Sequence, residues 1–316
     1  SACLVGSEMC IRDRSKILRE KKHKRGSIDF ELPELKVVLD KDEKVEKVYL
    51  KDRGEGEKII EDFMIAANET VAERIFWLEL ASIYRTHEKP DREKIVVLNE
   101  ILAKFGYKIP NFDNLHPKQF QEIIERSKDK ETSMLVHKTI LRALKQARYT
   151  VEDIGHFGLS SSHYTHFTSP IRRYADLMVH RVLFSSIDNS VKQLKLADLD
   201  EIAQHISKTE RVAMKAEDES VRIKLVEYMQ KRVGETFNVM VTGFAQKKVF
   251  FETDEHIECS WDVTTSPNYY VFDEENYCMV DRESDTVFNL GDKVEAVLER
   301  ADLLTLEIAV VPLDDF

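Results

Sequence analysis

The sequence predicts an α+β protein in which a mainly helical part is followed by an all-β barrel. Two observations support this prediction. Between residues 55 and 233 the apolar residues recur mostly at the spacing of one helix face. From Glu235 to about Val311 short alternating runs separated by turns replace that spacing, which is typical of strands. We therefore expect a domain boundary at about Gly234, with residues 26–233 in the first domain and residues 234–312 in the barrel.

Length and composition limit the classes of protein to consider. The 316 residues are 42% hydrophobic and 33% charged, enough for one good core and a second, smaller one. No apolar run is long enough to cross a bilayer, and no apolar segment near the N-terminus resembles a signal peptide. The four cysteines form no CxxC pair. We expect a monomer in the cytoplasm that has no membrane contact.

The net charge of −11 is distributed unevenly along the chain. Residues 1–251 contain 44 Lys and Arg against 40 Asp and Glu, whereas residues 252–316 contain 3 against 18. The first part therefore carries +4 and the last part −15, which together give −11. A basic groove for nucleic acid is compatible with the first part, and the last part should attract phosphates only weakly.

Local sequence patterns predict the secondary structure of successive segments. Residues 1–25 have no sustained hydrophobic period, and we expect a non-native or disordered leader; the alternative is a basic RNA-binding tail. Strand-forming residues predict strands in residues 26–50, broken by Pro33 and by a polar turn at residues 40–44. Amphipathic spacing with glycine or proline at the ends predicts helices in residues 57–85, 86–106, 116–128, 131–150 and 198–233.

The richest motif is HYTHFTSPIRRYADLMVHR, residues 163–181. Ser169 suits an N-cap and Pro170 the first helical position, so we expect a helix to begin there. Arg172 and Arg173 would then lie in its first turn, where guanidinium groups and the helix dipole together suit a phosphate. The i, i+4 spacing predicts that Asp176 orients Arg172.

The longer run HFGLSSSHYTHFTSPIRRYADLMVHR resembles the signature of the RNB exoribonucleases, the family of ribonuclease II and ribonuclease R. RALKQARYT also matches this family, and NYYVFDEENYCMVD with GDKVEAVL resembles its S1-type OB-fold barrel. The resemblance implies processive, magnesium-dependent hydrolysis of single-stranded RNA from its 3′ end to nucleoside 5′-monophosphates. It also implies association with ribosomes or the RNA-decay machinery as a further expectation.

The resemblance also implies roles for individual residues. Arg172 is the expected catalytic residue, because it would neutralise the charge that develops on the scissile phosphate. Phe30 is the candidate for stacking on bases, and Glu61 for contacting ribose hydroxyls. Glu217 matches an acidic position of the family, but the neighbouring Asp218 departs from its usual arginine. The expected RNA-binding residues are Phe30, Glu61, Tyr164, Thr165, Thr168, Ser169, Arg173, Tyr174 and Glu217.

One feature of the family is missing from the sequence. The family binds its magnesium ions with aspartates spaced D-x-x-x-x-x-D-x-D-D, and no such cluster occurs in this chain. The His163-x-x-His166 pair has no third ligand, so we expect no metal site here. We therefore expect the C-terminal half of an exoribonuclease that is inactive alone. The alternative is a noncatalytic RNA-binding or adaptor protein.

Overall fold

The computed structural model describes residues 2–30, 32–112, 114–188, 195–283 and 286–313. The chain divides into two compact units, Ser1–Leu32 with Arg53–Val212 and Pro33–Asp52 with Ala213–Phe316. The sequence prediction assigned residues 33–52 and 213–233 to the first domain, whereas the contacts group them with the barrel. None of the described helices is both long and apolar enough to span a membrane.

Helices dominate the first unit. It contains α1 (Ala2–Arg25), α2 (Glu55–Trp77), β3 (Tyr84–Thr86), α3 (Arg92–Lys104), α4 (Pro117–Ser127), α5 (Ser133–Ala143), β4 (Arg148–Thr150), α6 (Tyr174–Ile187) and the start of α7 (Leu196–Gln230). Apolar faces of α3, α4 and α5 form one core with Leu98, Phe120 and Ile140 fully or almost fully buried. A second core packs Met178 of α6 against Leu199 of α7. The predicted helices are largely confirmed.

Two of the predicted helices end earlier than expected. The predicted helix over residues 57–85 ends at Trp77, and the one over residues 131–150 ends at Ala143. The last residues of each predicted helix lie instead in β3 and β4, which pair antiparallel with Arg85 opposite Tyr149. This strand pairing joins segments that are far apart in sequence, so local helical spacing gave no indication of it.

The expectation of a disordered leader is wrong for residues 9–25, which form part of α1 and pack against α2. Ser15 is buried and its hydroxyl donates to Asp62 Oδ2 at 2.8 Å. Arg19 donates to the same carboxylate at 2.9 Å, and Lys22 Nζ lies 3.5 Å from its other oxygen. The docking contacts are polar, which explains why this helix has no apolar stripe to reveal it.

The second unit is mainly β. It contains a hairpin, β1 (Glu34–Leu39) with β2 (Val45–Lys51), and the strands β5 (Thr236–Ala245), β6 (Lys248–Thr253), β7 (Glu258–Asp262), β8 (Tyr270–Asp273), β9 (Cys278–Asp281), β10 (Val287–Asn289), β11 (Lys293–Asp302) and β12 (Glu307–Pro312). Five of them close into a barrel in the order β11-β12-β7-β6-β5. Trp261, Phe251 and Leu298 fill its interior. The predicted α+β class with a C-terminal barrel is confirmed, and five closed strands match an OB fold.

Candidate functional site

The first unit contains a cavity of about 680 Å³ between α2 and the loop that leads into α6. Its walls carry carboxylates on one side, and arginines, histidines and a tyrosine on the other. The residues that line it are Gly56, Glu57, Ile60, Glu61, Met64, Ile65, Asn68, Arg85, Ala147, His156, Leu159, Tyr164, His166 and Arg173.

Helix α2 provides one wall because its lining residues recur every three or four positions and so share one face. Glu61 lies on this face, and its carboxylate pairs with Arg53 at 3.0 Å. Arg53 also donates to Asp29 at 2.8 Å and to the carbonyl of Phe30 at 2.9 Å. The ion pairs keep the carboxylate of Glu61 in place at the rim of the cavity.

Asn68 of α2 fixes the loop that forms the opposite wall. Its side-chain amide donates to the Tyr164 hydroxyl at 3.1 Å, and its carbonyl oxygen accepts the Phe167 backbone N–H at 2.9 Å. The Phe167 carbonyl lies 2.9 Å from His180 Nε2, and the two rings stack with their centroids 4.1 Å apart. Thr165 donates to the Ile83 carbonyl at 2.7 Å. The loop therefore has little freedom to move relative to α2.

The turn before α6 differs from the sequence prediction. Helix α6 begins at Tyr174, and residues 169–173 form a turn closed by bonds from the Arg172 and Arg173 amides to the Ser169 carbonyl. Asp176, which is fully buried, accepts the Ser169 N–H at 2.7 Å and Arg173 Nη2 at 2.9 Å. The predicted pairing of Asp176 with Arg172 is wrong, because the late start of the helix turns Arg173 toward the carboxylate.

Several polar atoms in this turn are shut off from solvent. Asp176 Oδ2, Arg173 Nε and Thr168 Oγ1 have no hydrogen-bond partner among the described residues. An unsatisfied buried polar atom costs about 1–3 kcal/mol, so three of them close together call for an explanation such as a functional role.

The two histidines of the cavity are neutral at physiological pH. Burial lowers the pKa of His156 to about 3, and the electrostatic effects of nearby His87 and Arg85 lower it further. Burial lowers the pKa of His166 to about 2, followed by the effects of Arg173 and Arg85. Burial also raises the pKa of Tyr149, whose hydroxyl lies 2.8 Å from His166 Nδ1, to about 12. The positive charge of this wall therefore comes from Arg85 and Arg173.

The cavity brings together three of the predicted site residues, Glu61, Tyr164 and Arg173. Arg172 and Tyr174 are exposed and are not among its lining residues. The remaining predicted residues are found as follows: Thr165 is buried, Thr168 and Ser169 are half-buried in the turn, Phe30 packs against the core of α3, α4 and α5, and Glu217 is exposed on the part of α7 that belongs to the second unit.

Sequence reasoning missed Arg85, His156 and Asn68. Asn68 had a usable signal, because a polar residue within the apolar stripe of a helix usually makes buried hydrogen bonds. Arg85 and His156 lie in short extended segments whose position in the fold depends on the pairing of β3 with β4. The sequence alone contains no comparable signal for Arg85, whereas His156 is the first residue of the family-like run HFGLSSSHYTHFTSPIRRYADLMVHR.

The described residues do not fit a magnesium site. No group of three or more His, Cys, Asp or Glu side chains among them lies close enough to hold a metal ion. Among the residues that the structure describes, Glu57 and Glu61 are the only carboxylates that line the cavity. We therefore derive no chemical step through a metal from this chain.

Comparison with known proteins gives a consistent result. The family model described as RNB domain matches residues 9–189, a range that includes most of α1. Ribonuclease R of Thermotoga maritima is 40% identical over 309 residues, which cover 95% of this chain and 44% of that protein. Ribonuclease R of Aquifex aeolicus is 40% identical over 284 residues, 89% of this chain and 40% of that protein. The chain thus spans less than half the length of these relatives.

The fold has a counterpart among solved structures. RNase R of Mycoplasma genitalium in its apo form superposes with a TM-score of 0.93 at 28% sequence identity. The match covers 99% of this chain and 50% of that one. The same protein in complex with ribose-methylated single-stranded RNA gives the same TM-score and coverage.

Proposed function

Since the chain belongs to the family defined by the RNB domain, we propose that it is the RNA-binding part of a 3′-to-5′ exoribonuclease. The observation that carries the proposal is the cavity in which Arg85 and Arg173 lie across from Glu57 and Glu61. Cations suit the phosphates of a strand, and carboxylates suit its ribose hydroxyls. The complex of M. genitalium RNase R with single-stranded RNA supports the same class of ligand.

In this proposal the two arginines of the turn have different tasks. Arg173 neutralises a phosphate inside the cavity, where Asp176 holds its guanidinium at 2.9 Å. Arg172, the catalytic residue expected from sequence, is exposed beside it and neutralises the scissile phosphate once the strand is bound. Phe30, Tyr174 and Glu217 have no place in the cavity lining, so any RNA contact they make lies outside it.

The proposal limits what the chain does alone. Hydrolysis in this family needs magnesium ions, and the sequence lacks the closely spaced aspartates that hold them. The chain therefore binds RNA and does not shorten it, whereas processive release of nucleoside 5′-monophosphates requires those carboxylates. We also propose that the protein is a monomer in the cytoplasm. The proposal that it contacts ribosomes or the RNA-decay machinery rests on the family resemblance alone.

The test is binding of fluorescein-labelled oligo(A) to the purified chain at several salt concentrations. Arg173→Ala should weaken binding about tenfold and reduce the salt slope by about 0.7, the value of one phosphate contact on a single strand. Arg74→Ala removes an exposed arginine from α2 outside the cavity and serves as the matched control. Equal losses in the two variants would contradict the site.

A second assay separates the two candidate functions. Labelled poly(A) incubated with the chain in magnesium buffer should keep its length. A noncatalytic adaptor is the second candidate because the metal ligands are missing from the sequence. Joining the chain to an RNB segment that carries the aspartates should restore shortening if the chain is part of a nuclease, and should leave the RNA intact if it is an adaptor.

A further inference from the structure

His166 lines the cavity, and its ring is hydrogen-bonded to the hydroxyl of Tyr149. We propose that Tyr149 is a positioning residue that fixes the tautomer of His166, so that His166 Nε2–H is donated to the RNA bound in the cavity. The inference rests on the proposed function, because it names a further contact to the same ligand.

The direction of the bond between the two side chains follows from burial. Tyr149 is 5% exposed, and its hydroxyl lies 2.8 Å from His166 Nδ1 and has no other hydrogen-bond partner among the described residues. If the hydroxyl accepted a proton from Nδ1, its own O–H would be buried without an acceptor, which is costly. The hydroxyl therefore donates, and Nδ1 accepts.

This direction determines the other ring nitrogen. A neutral imidazole has one N–H, so an accepting Nδ1 leaves the proton on Nε2. His166 Nε2 makes no hydrogen bond among the described residues, and it is not one of the atoms that are shut off from solvent. The ring lines the cavity, so the free N–H is available to a ligand there.

Arg85 keeps Tyr149 in place. Its guanidinium lies over the Tyr149 ring, 4.6 Å from the centroid, and pairs with Glu210 at 2.6 Å. The Tyr149 backbone N–H also donates to Ser207 Oγ at 2.9 Å. Ring and backbone are thus both fixed, so the hydroxyl reaches Nδ1 with little conformational freedom to lose.

A second histidine of the cavity has the same tautomer for an independent reason. His156 Nδ1 accepts the Leu159 backbone N–H at 3.2 Å, and a backbone N–H only donates. His156 and His166 flank the Tyr164 ring edge-on, with centroid distances of 5.2 and 5.8 Å. The wall that carries Arg173 therefore presents neutral N–H donors as well as charged ones, which suits phosphate oxygens and base acceptors.

The protonation of both partners agrees with this assignment. Burial lowers the pKa of His166 and raises that of Tyr149, so at neutral pH the ring is neutral and the hydroxyl keeps its proton. A tyrosine hydroxyl that donates to a neutral imidazole fixes the orientation and the tautomer of the ring. The outer hydrogen-bond partners of metal-bound histidines act on their rings in the same way.

The first measurement uses the full chain without RNA. Long-range 1H–15N NMR spectra distinguish the two imidazole tautomers, and we expect wild-type His166 to carry its proton on Nε2. Tyr149→Phe removes only the hydroxyl and should produce a mixture of tautomers. Tyr107→Phe is the matched control, because Tyr107 is buried and its hydroxyl donates to the Arg126 carbonyl away from the cavity. A proton on Nδ1 in the wild type would overturn the inference.

The second measurement is oligo(A) affinity. Tyr149→Phe should weaken binding about three- to tenfold, the effect of one misdirected hydrogen bond, while Tyr107→Phe should bind as the wild type. His166→Gln, whose amide nitrogen lies near the position of Nε2, should retain more affinity than His166→Asn, whose amide lies near Nδ1. Wild-type affinity in Tyr149→Phe, or the reverse order of the His166 variants, would refute the contact. If the wild type binds no RNA, the proposed function fails together with the contact, while the spectra still report the Tyr149–His166 bond.

Discussion

Mild acid should destabilise the first unit because it contains histidines that are buried without charge. The folded pKa values of His156 and His166 are about 3 and about 2, below the ordinary value of 6.5. At pH values between the folded pKa and the unfolded pKa of each histidine, the unfolded chain binds a proton that the folded chain does not. Stability therefore falls as the pH decreases through about 6.5, and this contribution is fully present only at higher pH.

The size of the effect follows from proton linkage. For a group with an unfolded pKa of about 6.5 and a much lower folded pKa, going from about pH 7.5 to about pH 5.5 costs about 1.4 kcal/mol. His156 and His166 together thus account for about 3 kcal/mol, a large part of the stability of an ordinary domain. His87, whose pKa is also lowered by burial, adds to the loss. Carboxylates with lowered pKa values, such as Glu88, lose their contribution only at more acidic pH.

The assay is urea denaturation at both pH values, followed by hydrogen exchange in residues 148–170 so that the first unit is observed separately. His166→Gln cannot titrate and should reduce the difference between the two pH values by about 1.4 kcal/mol. His205→Gln, exposed on α7, is the control that should keep the wild-type difference. Equal stability at the two pH values, or an unchanged difference in His166→Gln, would refute the reasoning.

Three further predictions concern the packing. Asp62→Asn removes the buried charge that holds α1 and should cost about 2 kcal/mol, detected as faster hydrogen exchange in residues 9–25; unchanged exchange would contradict the polar docking. Trp261→Phe should cost much less than the 3–5 kcal/mol expected for Trp261→Ala in thermal unfolding, because the buried indole N–H has no partner among the described residues. Gly155→Ala should destabilise the protein more than Gly106→Ala. Both glycines have a φ of +77°, but only at Gly155 would a Cβ meet a carbonyl oxygen at 2.8 Å. Equal losses of stability in the two variants would show that φ alone matters.

Local patterns predicted most of the secondary structure. The stripe of α3, closed by Gly106 with a positive φ, and the alternating strands of the barrel follow from spacing and turn residues that act within a few positions. The two helix ends that failed, at Trp77 and Ala143, are those where the chain leaves a helix to form β3 or β4. There the deciding contact comes from a distant segment.

The motif around Ser169 was sufficient to identify the region of the site but insufficient to assign its arginines. Helical spacing counted from Ser169 paired Asp176 with Arg172, and a start at Tyr174 paired it with Arg173 instead. A shift of the helix start changes which of two adjacent side chains faces the carboxylate, because successive residues on a helix point about 100° apart.

The sequence by itself determined the α+β class, the family resemblance, the absence of an aspartate cluster and the location of most helices and strands. The tertiary structure alone decided that α1 docks through Asp62, that Arg173 rather than Arg172 lines the cavity, and that Asn68 and Tyr149 hold Tyr164 and His166. Propensity and hydrophobic period act between near neighbours, whereas a polar site depends on the distances between side chains from separate segments, which exist only once the chain has folded.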